Sequence, residues 1–339
     1  MSRKIRWGVL GAAQIAVTKV VPAMQQGELT EVAAIASRDR AKAEDAARQL
    51  GIARAYASYD ELLADPEIDA VYNPLPNHLH VPWSLRAAAA GKHVLCEKPI
   101  SLTVEEAREL LAARDRYGVV IGEAFMARSN PQWLRAREIA CSGRIGELRL
   151  ISGHFSYFNN DPHNIRNQAD IGGGALMDIG CYPITLSRMV FDAEPERVIG
   201  LLERDPRMHT DRLTSAILDY PEGRQCLFSC ATQLVPYQRM HLVGTAGRVE
   251  IEIPFNAPPD RPNRLLIDDG SSLHGAGIRT EEMPVANQYT IQGDLFSRAI
   301  LDRTPAPTPL EDAVRNMAVI QALFRSAQSG RWERPADLL

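Results

Sequence analysis

Between residue 4 and about residue 124, short apolar runs alternate with alanine-rich stretches of helical period, a rhythm that fits a parallel sheet wrapped by helices and little else. Strands are expected at 5–10, 32–36, 70–73, 93–96 and 119–122, with helices at 41–50, 59–64, 79–90 and 104–117. The strand runs are continuously apolar, as strands covered on both faces require. Past residue 145 the pattern changes. Runs at 147–158, 197–202, 213–220, 225–234 and 248–253 alternate or carry β-branched and aromatic residues, which predicts an antiparallel sheet. One helical segment, 175–191, interrupts it early. A last helix over 310–329 carries an apolar stripe through Val314, Met317, Ala318, Ile320, Ala322 and Leu323 that must dock on something. The fold class expected is α/β. It comprises a parallel-sheet domain over 1–124, a second α/β domain with an open, mainly antiparallel sheet over 125–309, and a C-terminal helix over 310–339 docked back on the main body.

Composition excludes several classes of function. With 339 residues, 45% hydrophobic and 24% charged, the chain is long enough for two cores. A net charge of -4 without a dense Lys/Arg block argues against nucleic acid as a partner. The chain enters an apolar strand by Ile5 without the features of a signal peptide, and no apolar run approaches membrane-spanning length. A cytoplasmic protein with no membrane partner is expected. The five cysteines (Cys96, Cys141, Cys181, Cys226, Cys230) contain no Cys-x-x-Cys pair, so reduced and mostly buried thiols are expected. No metal constellation is evident either, because His154 and His163 lack further ligands at usable spacing.

Gly11, Ala12, Ala13, Gln14 and Ile15 follow the first strand and open a helix, where a dinucleotide's pyrophosphate meets backbone N–H groups and the helix dipole. At the end of the next strand an NAD enzyme usually places an acid against the adenosine ribose. Here stand Ser37 and Arg38, with Lys42 one turn later, a set able to bind a 2′-phosphate. NADP is therefore the expected cofactor, with Asp39 the one residue that leaves room for NAD. Asn77 and His80 follow the third long strand and are expected to line the cofactor site. Lys98 ends the fourth, before Pro99, where a charge is costly unless used.

Five motifs in order, Gly11-Ala-Ala-Gln-Ile-Ala, Leu75-Pro76-Asn77-His78-Leu79-His80, Ala90 through Pro99, Gly172 through Pro183, and Thr308-Pro-Leu-Glu-Asp312, resemble the Gfo/Idh/MocA family almost end to end. The resemblance implies an N-terminal Rossmann domain and a C-terminal domain whose open sheet builds homodimers or homotetramers. It implies catalytic Lys98, Asp178 and Tyr182, with Tyr182 rather than histidine placing the chain nearer the aldose-type branch of glucose-fructose oxidoreductase, xylose or glucose dehydrogenases and aldose-aldose oxidoreductase. It also implies cofactor contacts from Tyr59, Leu75, Pro76, Glu97 and Arg166, beside those named above.

Asp178 and Tyr182, four apart on a predicted helix, share a face, and Gly172, Gly173 and Gly174 let backbone approach closely at its start. Oxidising a sugar hydroxyl needs a base for the O–H proton, and tyrosine, with a reference pKa of about 10, serves only when a neighbouring cation favours phenolate. The expected roles are Tyr182 as base, Lys98 as its electrostatic partner and Asp178 as the group orienting substrate hydroxyls. Arg128, Phe155, Tyr157 and His163 are further expected pocket residues for a sugar. The expected activity is NADP-dependent oxidation of an aldose at its anomeric carbon to an aldonolactone, possible also with bound NADP passing hydride to a second sugar. Alternatives are a dihydrodiol or 1,5-anhydrofructose-type reductase and, from another class, an NADP-sensing regulator, against which the intact proton-transfer set speaks.

Overall fold

The computed structural model describes residues 3–339, and its backbone gathers into two units. The first holds the chain up to Met126 together with Gln288–Val314, and the second holds Ala127–Asn287 with Arg315–Leu339.

In the first unit, among the described residues, six parallel strands are ordered β3-β2-β1-β4-β5-β6. They are β1 (Ile5–Leu10), β2 (Thr30–Ala36), β3 (Arg54–Tyr56), β4 (Ala70–Asn73), β5 (His93–Cys96) and β6 (Ile121–Glu123). Helices α1 (Val21–Met24), α2 (Arg40–Leu50), α3 (Tyr59–Ala64), α4 (His80–Ala89) and α5 (Val104–Tyr117) connect them. Trp7, Val9, Ile35, Tyr72 and Leu95 are buried at the sheet's centre, as two-sided cover demands.

In the second unit come α6 (Pro131–Cys141), β7 (Leu148–Phe158) and α7 (Cys181–Phe191). There follow β8 (Arg197–Arg204), β9 (Asp211–Tyr220), β10 (Arg224–Ala231), β11 (Gln233–Gly244), β12 (Arg248–Ile251), β13 (Asn263–Asp268) and β14 (Ile278–Met283). The sheet order is β14-β13-β12-β11-β7-β10-β9-β8. Every neighbouring pair is antiparallel except β7 with β10, so the sheet is mainly antiparallel, as expected, with one parallel pair at its centre.

One segment corrects the sequence reading. Helix α8 (Gln288–Asp302) belongs with the first unit, although it lies within the 125–309 stretch assigned to the second domain. Its Phe296 ring lies 5.6 Å from Trp7, its Ser297 hydroxyl accepts from Trp7 Nε1 at 3.1 Å, and Asp294 accepts from the Glu28 and Leu29 amides. The apolar face of α8 thus completes the first core, a long-range pairing that periodicity does not encode. Helix α9 (Leu310–Ser329) follows, with its stripe buried as expected. Beyond Arg315 it docks on β8, where the Gly200 amide donates to Ser326 Oγ at 3.1 Å.

Two helices open with a π-turn, at Ala16–Val20 ahead of α1 and at Leu176–Gly180 ahead of α7. Each helix that follows carries a proline near its start, Pro22 or Pro183. A proline ring has no N–H and crowds the carbonyl four residues back, and the wider turn relieves both. The continuous helix expected over 175–191 is therefore a π-turn joined to an α-helix.

Candidate active site

At the end of β1, Gly11 sits at φ 96°, and a Cβ there would lie 2.9 Å from Leu75 Cδ2. Only glycine suits that conformation, so the chain turns sharply into the helix start at Ala12, Ala13, Gln14 and Ile15, whose first-turn amides lack intrahelical acceptors. That cradle fits a dinucleotide pyrophosphate. Beyond β2, Asp39 is spoken for: its carboxylate caps α2, accepting from the Ala41 and Lys42 amides at 3.0 and 3.3 Å. Ser37 is buried, with Oγ accepting from the Asp39 amide at 3.2 Å. Arg38 and Lys42 are exposed. Burial pushes the Tyr59 phenol up while Arg38, hydrogen-bonded to it, pulls the other way, which brings these two expected cofactor residues together. The acid that might have answered a ribose diol is turned into a helix cap, and the cations remain outward, as a 2′-phosphate requires.

Glu97 and Lys98 follow β5 directly. The Glu97 carboxylate accepts from Tyr72 Oη at 2.6 Å and from the Lys98 amide at 3.3 Å. Tyr72 is fully buried, and burial, reinforced by Glu97, pushes its phenol far up, so it remains a protonated donor. Lys98 is half-buried and joins Pro99 through a cis peptide bond. Leu75 is buried, while Pro76 and Asn77 are half-buried at the loop after β4.

His80 corrects the sequence reading. It does not line the cofactor site, because its side chain is enclosed at 1% exposure with Nε2 2.7 Å from Leu75 O and Nδ1 2.8 Å from Pro99 O. It braces the loop after β4 against the loop that carries Lys98. Burial pushes the imidazole down to about 4, with the charges of Lys98 and His78 acting in the same direction and the two carbonyls opposing. Both ring nitrogens face carbonyl oxygens, and a singly protonated imidazole can donate to only one of them, so burial and hydrogen bonding pull the ring's protonation in opposite directions.

In the second unit the glycines at 172–174 are needed at two positions. A Cβ on Gly173 would lie 2.6 Å from Arg166 O, and one on Gly174, at φ 123°, would lie 2.0 Å from Asp211 Oδ1. The π-turn that follows starts under Asp211, whose Oδ2 accepts from the Leu176 amide at 2.7 Å and from Thr214 Oγ1 at 2.8 Å. Sequence reasoning missed Asp211, a strand-start acid whose burial pushes it up to about 6.

On that π-turn Asp178 Oδ2 accepts from Tyr157 Oη at 2.5 Å and from Arg166 Nε at 3.0 Å. Asp178 is 13% exposed at its side chain and Arg166 41%. The Asp178 charge pushes the Arg166 guanidinium up, and burial, with Asp178, pushes the Tyr157 phenol up. Arg166 stays cationic and Tyr157 protonated, so three residues expected from the sequence form one hydrogen-bonded set. Arg166 was expected against the cofactor, and its partner here is Asp178.

Tyr182, in the first turn of α7, is 5% exposed. Its ring centroid lies 5.9 Å from Phe155, edge-on, and 5.3 Å from Phe255, while Phe155 and Phe255 stack at 4.7 Å. Phe155, expected to touch substrate, lies against the Tyr182 ring with a comparably small exposed surface. Phe255 lay in a proline-rich stretch with no periodicity to mark it. Arg128 Nη1 donates to Thr185 Oγ1 at 3.2 Å, further along α7. His163 is exposed, and its carbonyl accepts from Gln168 Nε2, so the structure does not join its ring to this group.

Two family descriptions match the chain. The oxidoreductase family with an NAD-binding Rossmann fold covers residues 5–125, and the GFO/IDH/MocA C-terminal domain covers residues 133–250. The chain belongs to the Gfo/Idh/MocA oxidoreductase family. Among its relatives, a D-xylose 1-dehydrogenase (NADP(+)) of Haloferax volcanii is 36% identical over 96% of this chain and 98% of its own. The 3-ketoreductase KijD10 of Actinomadura kijaniata, solved with NADP and TDP-benzene, superposes with a TM-score of 0.90 at 30% identity, covering 96% of this chain and 98% of its own. An aldose-aldose oxidoreductase of Caulobacter crescentus, solved with glycerol, gives 0.88 at 26% identity over 98% and 100%. KijD10 has also been solved with one tyrosine and with one lysine replaced, and those two positions lie as far apart in its chain as Lys98 and Tyr182 do in this one.

Proposed function

We infer that this sugar oxidoreductase of the Gfo/Idh/MocA family oxidises an aldose at its anomeric carbon to the aldonolactone, with NADP as its cofactor. The observation that carries the reading is Asp178 pinned by Tyr157 and Arg166 on the same π/α helix as Tyr182, a polyol-orienting carboxylate four residues from a proton acceptor. The xylose dehydrogenase and the aldose-aldose oxidoreductase support the substrate class. NADP, when bound, supplies the hydride acceptor. Tyr182 takes the proton of the anomeric hydroxyl. Lys98 supplies the positive charge that favours its phenolate. Asp178, fixed in direction by Arg166 and Tyr157, accepts hydrogen bonds from neighbouring sugar hydroxyls and holds the ring for transfer. We assign self-association as a homodimer or homotetramer to the open sheet, where Phe158, Leu201, Val235 and Tyr237 are exposed.

Arg38 and Lys42 are assigned to the 2′-phosphate. A charge-assisted hydrogen bond contributes about 1.5–3 kcal/mol, so NADP should bind at least about tenfold more tightly than NAD. Fluorescence titration of NADPH and NADH measures this, and Arg38→Ala with Lys42→Ala should bring the two constants together. Equal constants in the parent chain would refute the assignment.

The activity is tested by following the reduced-nicotinamide band while aldoses are added singly to the protein with NADP. Reduction by D-xylose or D-glucose is the expected outcome. The similarity to KijD10 over nearly the whole chain favours a second reading, reduction of a keto sugar. NADPH consumption with a keto sugar and no reduction by any aldose would replace the first reading with that one. Cofactor binding without turnover in either direction would leave the sensor.

A further inference from the structure

We propose that residues 253–256 form a positioning platform for Tyr182, with Phe255 as its contact residue. The proposal rests on Tyr182 being the proton acceptor. A loop between strands is normally more mobile than the strands it joins, and this one is held from several directions. From α6, Gln132 Nε2 donates to Ile253 O at 2.8 Å and Trp133 Nε1 donates to Pro254 O at 2.7 Å. From β11, Gln238 Oε1 accepts from the Phe255 amide at 2.9 Å and from the Asn256 amide at 3.1 Å. Gln132 and Trp133 are wholly buried, so these bonds are made away from solvent, where losing one leaves a carbonyl unsatisfied. Gln238 stands in register with Phe155, and the side chain that fixes Phe255 thus projects from the residue paired with its stacking partner.

Phe255 itself has no exposed surface, so it does not touch a ligand and acts through Tyr182. Its ring stacks at 24° on Phe155 and lies at 46° to Tyr182, closing a three-ring cluster around the phenol's carbon skeleton. At the other end Asp211 holds the first residue of the π-turn that leads into Tyr182's helix. The phenol is therefore located by its backbone and by its ring face independently. Proton transfer tolerates little displacement, and a misplacement of about 1 Å costs on the order of 100-fold in rate.

The test labels the full chain with ring-¹³C tyrosine and assigns Tyr182 by its loss in Tyr182→Phe. In the parent, the gripped ring should flip slowly and show distinct or broadened edge signals. In Phe255→Leu those signals should merge and sharpen as flipping accelerates by at least about tenfold, with the Tyr220 signals in place as a report on the fold. With NADP and D-xylose, kcat should fall by about 10- to 100-fold while the NADP KM stays within about twofold. Trp133→Phe removes one donor and retains an aromatic ring, and serves if Phe255→Leu fails to fold. It should give the same direction of change. Unaltered Tyr182 signals in a folded variant would overturn the platform whatever the substrate. Altered signals in a chain inactive on every aldose would count against the aldose reading alone.

Discussion

Tyr182→Phe should lower kcat for aldose oxidation by about 10³-fold while NADP binding stays within about twofold. The substitution removes one oxygen and keeps the ring, so the contacts with Phe155 and Phe255 persist and the fold should survive. What disappears is the atom assigned to receive the hydroxyl proton. Nearby phenols do not substitute for it. Tyr157 is committed as a donor to Asp178, and its environment holds it protonated. Steady-state kinetics paired with NADPH titration separates the outcomes, and retained turnover would remove the proton-acceptor assignment.

Lys98→Met should cost about 10²- to 10³-fold at neutral pH through a different route. Methionine keeps most of the apolar stem and deletes the charge. On the proposed pairing with Tyr182, loss of the cation returns the phenol's ionisation toward its usual value of about 10, so the variant should recover part of its rate as pH rises. The base must be deprotonated to act, and oxidation therefore switches on at a higher pH in the variant than in the parent. A kcat profile that falls uniformly without shifting would assign Lys98 to binding instead. The Lys98 loop should remain in place, because Glu97 is tethered to buried Tyr72 and the Pro99 carbonyl to His80.

The strands of the first sheet were legible because burial on both faces produces continuous apolar runs, and β1, β4 and β5 begin and end where those runs do. The helix ends expected at residues 50 and 117 hold, because Gly51 and Gly118 adopt the left-handed conformation that ends α2 and α5. Long-range pairing was not legible. The amphipathic pattern of a helix such as α8 states that it must be covered, not that residues near 290 return to Trp7. The parallel β7–β10 pair was hidden likewise, since alternation describes the faces of a strand and not its neighbour's direction.

At the site, spacing put Asp178 beside Tyr182 on a helix, and the π-turn between them is explained only by Pro183 in hindsight. The union of Tyr157 and Arg166 on one carboxylate depends on the 172–174 glycine turn folding back on Arg166, which no local pattern states. By sequence Asp39 left room for NAD, and two hydrogen bonds from the Ala41 and Lys42 amides show it as the cap of α2 instead. His80 looked like a ligand because it follows a strand's carboxyl end, and its total burial makes it a brace instead.

Hydride passes, on the proposed function, from the anomeric carbon of an aldose to NADP, and isotope transfer reads that step directly. D-xylose and D-glucose carrying deuterium at C1 would be incubated in turn with the protein and NADP, and the cofactor recovered for mass spectrometry and NMR. Deuterium should appear at nicotinamide C4, together with the matching aldonolactone. Reduced cofactor without deuterium, or no reduction with any aldose while a keto sugar consumes NADPH, would contradict it.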